Sequence, residues 1–261
     1  FSTLIEDSML FKSNIPLKTL IAFVLWMSIA LPVFAIDEYF QFKDGRKKQV
    51  IPFKLIKNLM ILPMTINGKG PYNFVLDTGV GLCLITEPSL IDSLNPTYVR
   101  NIKIAGFGNG ADILASVCTG LDLEIGQTIG KGMSAAILKT DAFNLSGLTG
   151  MKIHGLIGFE FFSSFIVKIN YVNRQLTIYR HNTAYLPRKG TRIPITIEER
   201  KPYIVSELQL ESGKTLPAKL ILDTGAGHPI SLESMNGIPF PVPERKIAAN
   251  LGAGLSGPIY G

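Results

Sequence analysis

Two copies of the tripeptide Asp-Thr-Gly are the most chemically suggestive residues of this sequence: Asp77-Thr78-Gly79 and Asp223-Thr224-Gly225. Each copy follows a hydrophobic segment that predicts a buried strand, and burying an unpaired carboxylate costs free energy. If the two copies pack together, their carboxyl groups meet, and like charges about 3 Å apart cannot both ionise readily. The pair then shares one proton, so one oxygen can take a proton from water while the protonated partner polarises a carbonyl group. The pattern therefore predicts a hydrolytic dyad of Asp77 and Asp223, with the shared proton assigned to neither.

The two copies belong to an internal repeat. They lie 146 residues apart, and the same spacing recurs outside the tripeptide. Further pairs in this register are Pro71 with Pro217, Leu76 with Leu222, Gly81 with Gly227, Glu87 with Glu233, Gly106 with Gly252, Gly108 with Gly254, and Ile113 with Ile259. Chance matches do not keep one register over so long a stretch, so we expect two copies of one lobe.

Both copies have the pattern of strands rather than helices. Met60–Ile66 and Tyr72–Leu76 flank a turn over 67–70 and predict a hairpin whose second strand ends at Asp77. Further predicted strands, including the hairpin of the second copy, are Tyr203–Leu210, Ala218–Leu222, Ile102–Ile104, Phe165–Tyr171 and Gln175–Tyr179. Only one short helical turn is predicted, over Glu87–Leu94. The expected fold class is therefore all-β.

The neighbours of the two aspartates suit a shared proton. Gly79 and Gly225 permit a backbone approach that a Cβ atom would block, and the hydroxyls of Thr78 and Thr224 can hold the loops by hydrogen bonds. Two glycine-rich segments predict mobile hairpin tips that fold over a bound chain as a flap. The flap residues are Gly106, Phe107, Gly108, Asn109 and Gly110 in the first copy, and Gly252 and Gly254 in the second.

Together these residues resemble the aspartic peptidases of the retropepsin-like and pepsin-like group, most closely the exported bacterial members with two Asp-Thr-Gly lobes. The resemblance rests on Val75–Val80 and Ile221–Ala226, on the glycine-rich flap, and on the closing signature Gly155-Leu156-Ile157-Gly158. It covers roughly residues 51 to 261. It implies a bilobal acid-protease fold with two homologous β-barrel-like lobes, in which the Leu-Ile-Gly strand threads beside the Asp loop as a ψ-loop.

The resemblance also implies a function. It implies an aspartic-type endopeptidase that hydrolyses a bound polypeptide, needs no cofactor and no metal, and is a monomer in which the lobes pair intramolecularly. Val80 and Ala226 follow the glycines where pepsins place Ser or Thr, which is nearer to the retropepsin pattern. A second function stays open, a non-catalytic periplasmic peptide-binding or sensory module of the same fold. Intact Asp, Thr and Gly in both copies favour the enzyme, because a pure binder has no need for two buried acids.

The N-terminal region predicts export. Two lysines precede the apolar run Leu20–Leu31, and small or modest side chains follow as far as Ala35. This is typical of a secretory signal peptide, here over residues 1–35 with translation starting at Met9. The expected location is the periplasm or the cell envelope, with membrane contact only through this segment if it stays uncleaved.

The rest of the chain divides into three predicted parts: a linker over 36–50, a first aspartic protease lobe over 51–186, and a second lobe over 187–261. The second lobe is expected to be incomplete, because no counterpart of the Leu-Ile-Gly strand follows its flap. We therefore expect the chain as it stands to be inactive, with a better folded first lobe.

Composition excludes several other classes. The 261 residues are 46% hydrophobic and 18% charged, which excludes a disordered tail. The net charge is +6, but the basic residues are scattered, so nucleic acid is not an expected partner. His154, His181 and His228 have no ligand spacing and are expected to satisfy local polar groups or face solvent. A disulfide between Cys83 and Cys118 is compatible with export and is left open.

Overall fold

The computed structural model describes residues 39–104, 113–183, 189–210, 213–232, 245–254 and 257–260. All of them belong to one compact unit, Asp37–Gly261. The predicted signal peptide and the first flap segment, 106–110, lie outside the described residues. Within the described ranges, no helix has the length and apolar character needed to cross a membrane.

Strands dominate the described chain, and the all-β prediction is confirmed. In chain order the strands are β1 (Gln41–Phe42), β2 (Lys48–Pro52), β3 (Lys54–Ile56), β4 (Leu59–Ile66), β5 (Lys69–Leu76), β6 (Leu84–Ile85), β7 (Tyr98–Ile104), β8 (Ile113–Ile125), β9 (Thr128–Leu138), β10 (Gly155–Ile157), β11 (Ile166–Asn170), β12 (Gln175–Tyr179), β13 (Thr196–Glu198), β14 (Lys201–Gln209), β15 (Thr215–Ile221), β16 (Asn250–Gly254) and β17 (Gly257–Tyr260). The helices are short: α1 (Leu90–Leu94), α2 (Leu145–Thr149) and α3 (Phe159–Ser164).

The hairpin of β4 and β5 forms as predicted. Its turn residues Asn67 and Gly68 have positive φ angles of 50° and 71°, the backbone that Asn-Gly favours in a two-residue hairpin turn. β4 is buried over most of its length, whereas β5 becomes buried only over its last three residues, 74–76. The hairpin therefore carries the chain into the interior just before Asp77.

Six strands of the largest sheet close on themselves. The pairing runs from β4 through β5, β10, β6, β9 and β8 and returns to β4. Alternation along β4 directs Met60 and Leu62 to a large hydrophobic cluster, and Leu59 and Ile61 to a smaller one. Both faces of the strand are thus covered, which explains its nearly unbroken apolar sequence.

Three smaller sheets complete the described fold: β11, β12 and β2; β13, β14 and β15; and β16 with β17. β1 pairs with β9, and β2 pairs with β12. Residues 41–42 and 48–50, assigned to a linker by the sequence analysis, therefore lie in strands. Phe40 and Phe42 are buried in the large cluster, so this segment packs against the first repeat.

Helix α3 follows β10 and was not predicted from the sequence. Its Phe161 and the next phenylalanine, Phe165, are buried, and their ring centroids lie 5.5 Å apart. Phe161 also packs edge-on against Phe40, with centroids 5.7 Å apart. A run this short and this apolar has no period that separates helix from strand, so only packing shows that it is helical.

The two cysteines lie in the same core. Cys83 and Cys118 are both buried and free, so the disulfide that the sequence left open is not formed in this structure. The Cys118 thiol lies 3.5 Å from the carbonyl oxygen of Ala135. Burial raises the pKa of Cys83 well above its ordinary value, which keeps that thiol protonated and unreactive.

We expect Phe161→Ala to lower the free energy of unfolding by about 3–5 kcal/mol, because it leaves a cavity between α3 and the first strands. Denaturant titration of the purified protein measures this. Val172→Ala is the control: Val172 is 92% exposed, and its truncation should change the free energy of unfolding by less than about 0.5 kcal/mol. Equal effects of the two substitutions would contradict this account of the core.

Candidate active site

The first Asp-Thr-Gly loop is anchored by β10. β10 pairs in parallel with β5, and the Asp77 N–H donates to the Ile157 carbonyl oxygen at 2.9 Å. A Cβ atom on Gly158 would overlap the carbonyl oxygen of Asp77, so the close approach requires glycine there. The predicted segment Leu156-Ile157-Gly158 thus lies directly beside the loop. Asp77 is only 8% exposed.

The second loop repeats the local geometry of the first. The Gly79 N–H donates to Asp77 Oδ1 at 2.7 Å, and the Gly225 N–H donates to Asp223 Oδ1 at 2.7 Å. These bonds fix each carboxyl group relative to its own loop.

The two loops differ in burial. The sequence predicts that both strands carry their aspartates inward, yet Asp223 is exposed. β14 and β15 are half exposed along their lengths, and no described residue of their sheet belongs to the buried hydrophobic core. Without an apolar layer over this sheet, the end of β15 stays close to solvent, and the expectation was wrong for Asp223.

Reciprocal hydrogen bonds join the two loops through their threonines. The Thr78 N–H donates to Thr224 Oγ1 at 3.1 Å, and the Thr224 N–H donates to Thr78 Oγ1 at 2.9 Å. Each hydroxyl also donates across the interface to a strand end: Thr78 to the Leu222 carbonyl at 2.5 Å, and Thr224 to the Leu76 carbonyl at 2.9 Å. A hydroxyl can accept one bond while donating another, so threonine satisfies both requirements at once.

The threonine contacts bring the two carboxyl groups together. The point where Gly79 would carry a Cβ atom lies 3.1 Å from Asp77 Oδ1 and 3.2 Å from Asp223 Oδ2. A Cβ atom on Gly225 would overlap the Asp77 carboxyl group. Close approach therefore requires glycine at position 225, and a Cβ atom on Gly79 would crowd both carboxyl groups, which lie together at this point.

The environment favours a proton on Asp77. Burial raises the pKa of Asp77 most, and the charge of Asp223 and a hydrogen bond with its carboxyl group raise it further, to about 8. The Gly79 N–H and the charge of Lys201 act in the opposite direction. The more buried member of the pair is therefore protonated at neutral pH, as expected when two carboxyls share one site.

Two further residues, which the sequence analysis missed, connect the repeats. The Asn58 amide donates to the Gly227 carbonyl at 2.8 Å, and the Arg200 guanidinium donates to the Gly81 carbonyl at 3.4 Å. Asn58 and Arg200 each occupy the second position of a two-residue turn with positive φ, immediately before β4 and β14. Gly81 and Gly227 stood out in the repeat register, but nothing in the sequence identified their partners.

A buried acid, Glu160, was also missed. It is 1% exposed, and its Oε1 accepts a hydrogen bond from the Cys83 N–H at 2.9 Å. Its Oε2 has no hydrogen-bond partner among the described residues. Burial raises the pKa of Glu160 above its ordinary value. Glu160 lies on α3, just after β10, and no sequence motif identifies it.

The remaining predicted residues are the flap glycines and the histidines. Gly252 and Gly254 lie in β16, and the residues 106–110 lie outside the described chain. His154 Nδ1 accepts from the Asn73 N–H at 3.0 Å, as a local structural contact. Within the described parts of the chain, no three His, Cys, Asp or Glu side chains lie close enough together to hold a metal ion.

Comparison with known families matches residues 62–161 to the family model described as aspartyl protease. The matched segment includes the first Asp-Thr-Gly loop and β10, and Asp223 lies beyond it. A comparison with curated proteins found no match. The family match supports an aspartic-type peptidase, at the level of the family.

The raised pKa of Asp77 makes stability depend on pH. In the unfolded chain this carboxyl ionises near its ordinary pKa of 3.8, whereas the folded protein keeps the proton to about 8. Between these values the folded state binds the extra proton, so the stabilisation is complete below about pH 4 and is lost as the pH rises through about 8.

We therefore expect the free energy of unfolding to decrease from pH 4 to pH 8, and Asp77→Asn to remove most of this decrease and stabilise the protein at pH 8. Each pKa unit corresponds to about 1.4 kcal/mol, so the change amounts to several kcal/mol. Urea titrations at a series of pH values measure it. Asp92→Asn, at an exposed helix position, is the matched control and should keep the slope. Parallel curves for Asp77→Asn and the wild type would contradict the assignment.

Proposed function

We propose that this chain is an aspartic-type endopeptidase with Asp77 and Asp223 as its catalytic residues. One observation carries the proposal: two carboxyl groups from sequence positions 146 residues apart lie together where the threonine contacts join the loops, and the pKa of the buried member is raised. A structural role alone gives no reason to hold two acids together, because their mutual repulsion is unfavourable. The family match supports the same chemistry.

The proposed reaction uses both protonation states of the pair. The ionised carboxyl takes a proton from a water molecule, whose oxygen attacks the carbonyl carbon of the peptide bond. The protonated carboxyl donates its proton to the carbonyl oxygen, giving a neutral tetrahedral intermediate. The proton then held by the first carboxyl passes to the leaving nitrogen as the C–N bond breaks, and the second carboxyl recovers its proton from the intermediate. The products are a carboxylic acid and an amine, and the dyad returns to its starting state.

The threonine contacts suit this chemistry because they position the acids without supplying charge. Neutral hydroxyl and amide groups join the two loops, so the pair keeps its single shared proton. Preorganised geometry of this kind lowers the cost of reaching the transition state. The proposed substrate is a polypeptide bound in extended form across the pair, and export to the periplasm or cell envelope stays a prediction.

Cleavage of an unstructured protein tests the proposal. We expect a full-length version of the protein, with the second lobe complete, to cleave casein, and Asp77→Asn and Asp223→Asn each to lower the rate by at least about 10³-fold, because an amide cannot take or share the proton. A statine-type inhibitor, whose hydroxyl mimics the attacking water, should slow the wild-type reaction. Fluorescently labelled casein gives the rates.

Asp92→Asn serves as the control for charge and should retain the wild-type rate. Full activity in either dyad variant would refute the catalytic assignment. Peptide binding without cleavage in the wild type would favour the non-catalytic binding module instead.

The rate should also depend on pH in a bell shape. At low pH both carboxyls carry protons and no base is present, so the rate falls. As the pH rises through the raised pKa of Asp77, about 8, the second proton leaves and the rate falls again. Initial rates from pH 3 to pH 9 measure this, and a rate independent of pH would indicate other catalytic groups.

A further inference from the structure

A cavity of about 320 Å³ lies beside the loop that follows Asp77. Its wall includes Tyr39, Leu82, Lys131, Ser134, Glu160 and Arg200. Leu82 directly follows Gly81, the residue whose carbonyl oxygen Arg200 contacts. The cavity therefore borders the segment that follows the Asp77 loop in the chain. Its volume is at the lower end of the range for small-molecule pockets, about 300–1,000 Å³.

The wall of this cavity carries two cations that lack an ion-pair partner. The ion pairs of the described residues are Lys43–Glu124, Arg46–Asp44, Lys152–Glu87 and Lys219–Glu198. Lys131 and Arg200 take part in none of these. The Arg200 guanidinium lies over the Phe159 ring, 5.7 Å from its centroid, and makes one long hydrogen bond to Gly81. Since a guanidinium has five N–H donors, most of its donors remain available.

The acidic group in the wall of the cavity is Glu160. Its side chain is buried, and Oε2 has no hydrogen-bond partner among the described residues. Burial raises its pKa, so the neutral form, which can donate through Oε2–H, is favoured relative to an exposed glutamate. Even with Glu160 ionised, the two cations leave the wall with a positive charge. This charge disfavours an amine and favours an anion.

Among the described residues, the two repeats differ in charge at the second position of the turn that precedes β4 and β14. The turn residue that corresponds to Arg200 in the first repeat is Asn58, which is neutral and contacts Gly227 in the same way that Arg200 contacts Gly81. A site with two equivalent halves accepts an extended chain equally well in either direction. A charge on one side alone distinguishes the two directions when the bound chain carries the opposite charge on one side.

We propose that this cavity binds a carboxylate of the substrate, an acidic side chain on one side of the cleaved bond, through Arg200 and Lys131. The proposal rests on the proposed endopeptidase function and extends it to the class of substrate. Arg200 supplies a planar pair of donors that matches a carboxylate, Lys131 supplies a second charge at the exposed rim, and Glu160 faces the buried part of the wall.

The test uses matched peptides that differ in one residue. A neutral, cleavable sequence receives Glu, or Gln as the isosteric control, at successive positions on both sides of the cleaved bond. We expect kcat/KM to be about tenfold or more higher for Glu than for Gln at one position on one side, because hydrogen bonds to charged groups are the stronger ones. No preference at any position would overturn the proposal.

Variants assign the preference to the cavity. Arg200→Gln and Lys131→Gln should each reduce the Glu-over-Gln ratio severalfold, and Arg200→Lys should retain part of it. Lys131→Gln is the cleaner variant, because the Lys131 side chain makes no hydrogen bond or ion pair with another described residue that the substitution could break. Lys139→Gln, at an exposed position outside the cavity, should leave the ratio unchanged. A ratio that survives both Arg200→Gln and Lys131→Gln would overturn the proposal.

A binding measurement separates failure of this inference from failure of the proposed function. In Asp77→Asn, the affinity for the fluorescein-labelled Glu and Gln peptides is measured by anisotropy, and the Glu preference should persist because Asp77 is not part of the cavity. Asp77-dependent cleavage without any Glu preference would overturn only the proposal that the cavity binds a carboxylate. A Glu preference that depends on Arg200, without Asp77-dependent cleavage, would refute the enzyme and retain the carboxylate site. If neither Asp77-dependent cleavage nor a Glu preference is found, both the proposed enzyme and the proposed carboxylate site are refuted.

Discussion

Two carboxyl groups held against each other are the constraint on which the rest of this structure depends. Their repulsion and the burial of Asp77 are both unfavourable, and one shared proton relieves the repulsion. The surrounding residues serve this pair: glycines leave room for the carboxyl groups, and neutral threonine contacts bring the loops together without adding charge. A side chain on Gly225 would occupy the place of the Asp77 carboxyl, so the close approach and the choice of residue have the same cause.

The closed set of six strands in the largest sheet explains why the Asp77 side of the carboxyl pair is held rigidly. β10 lies between β5 and β6, and its pairing with β5 fixes the chain up to the residue before Asp77. Ile157 of β10 and Phe161 of α3 belong to the same buried hydrophobic cluster, so the strand beside the loop is anchored in the core. Sites supported by paired strands keep their geometry more accurately than sites on free loops. Asp223 has no such support among the described residues and stays exposed.

The contacts between the two repeats are symmetric near the aspartates and differ further out, and the two sets of contacts have different roles. The threonine and glycine contacts are reciprocal, although Asp77 is buried and Asp223 is exposed, and reciprocal contacts suit chemistry in which the acid and base exchange roles. The outer contacts are not equivalent, because Asn58 stands on one side and Arg200 on the other. The inner pair therefore accounts for the proposed reaction, and the outer pair for the proposed direction in which a substrate binds.

The sequence by itself determined the features that local pattern encodes. The repeat register identified both Asp-Thr-Gly loops, alternation and Asn67-Gly68 identified the first hairpin, and the Leu-Ile-Gly signature identified β10. Tertiary structure alone decided which aspartate is buried, that the run after Gly158 is helical, and that Asn58 and Arg200 connect the repeats. The physical reason is distance along the chain: these properties depend on residues more than a hundred positions apart, such as Arg200 and Gly81, whose contact no local periodicity encodes. The pKa of Asp77 is of the same kind, because it follows from burial and from a neighbour that only folding supplies.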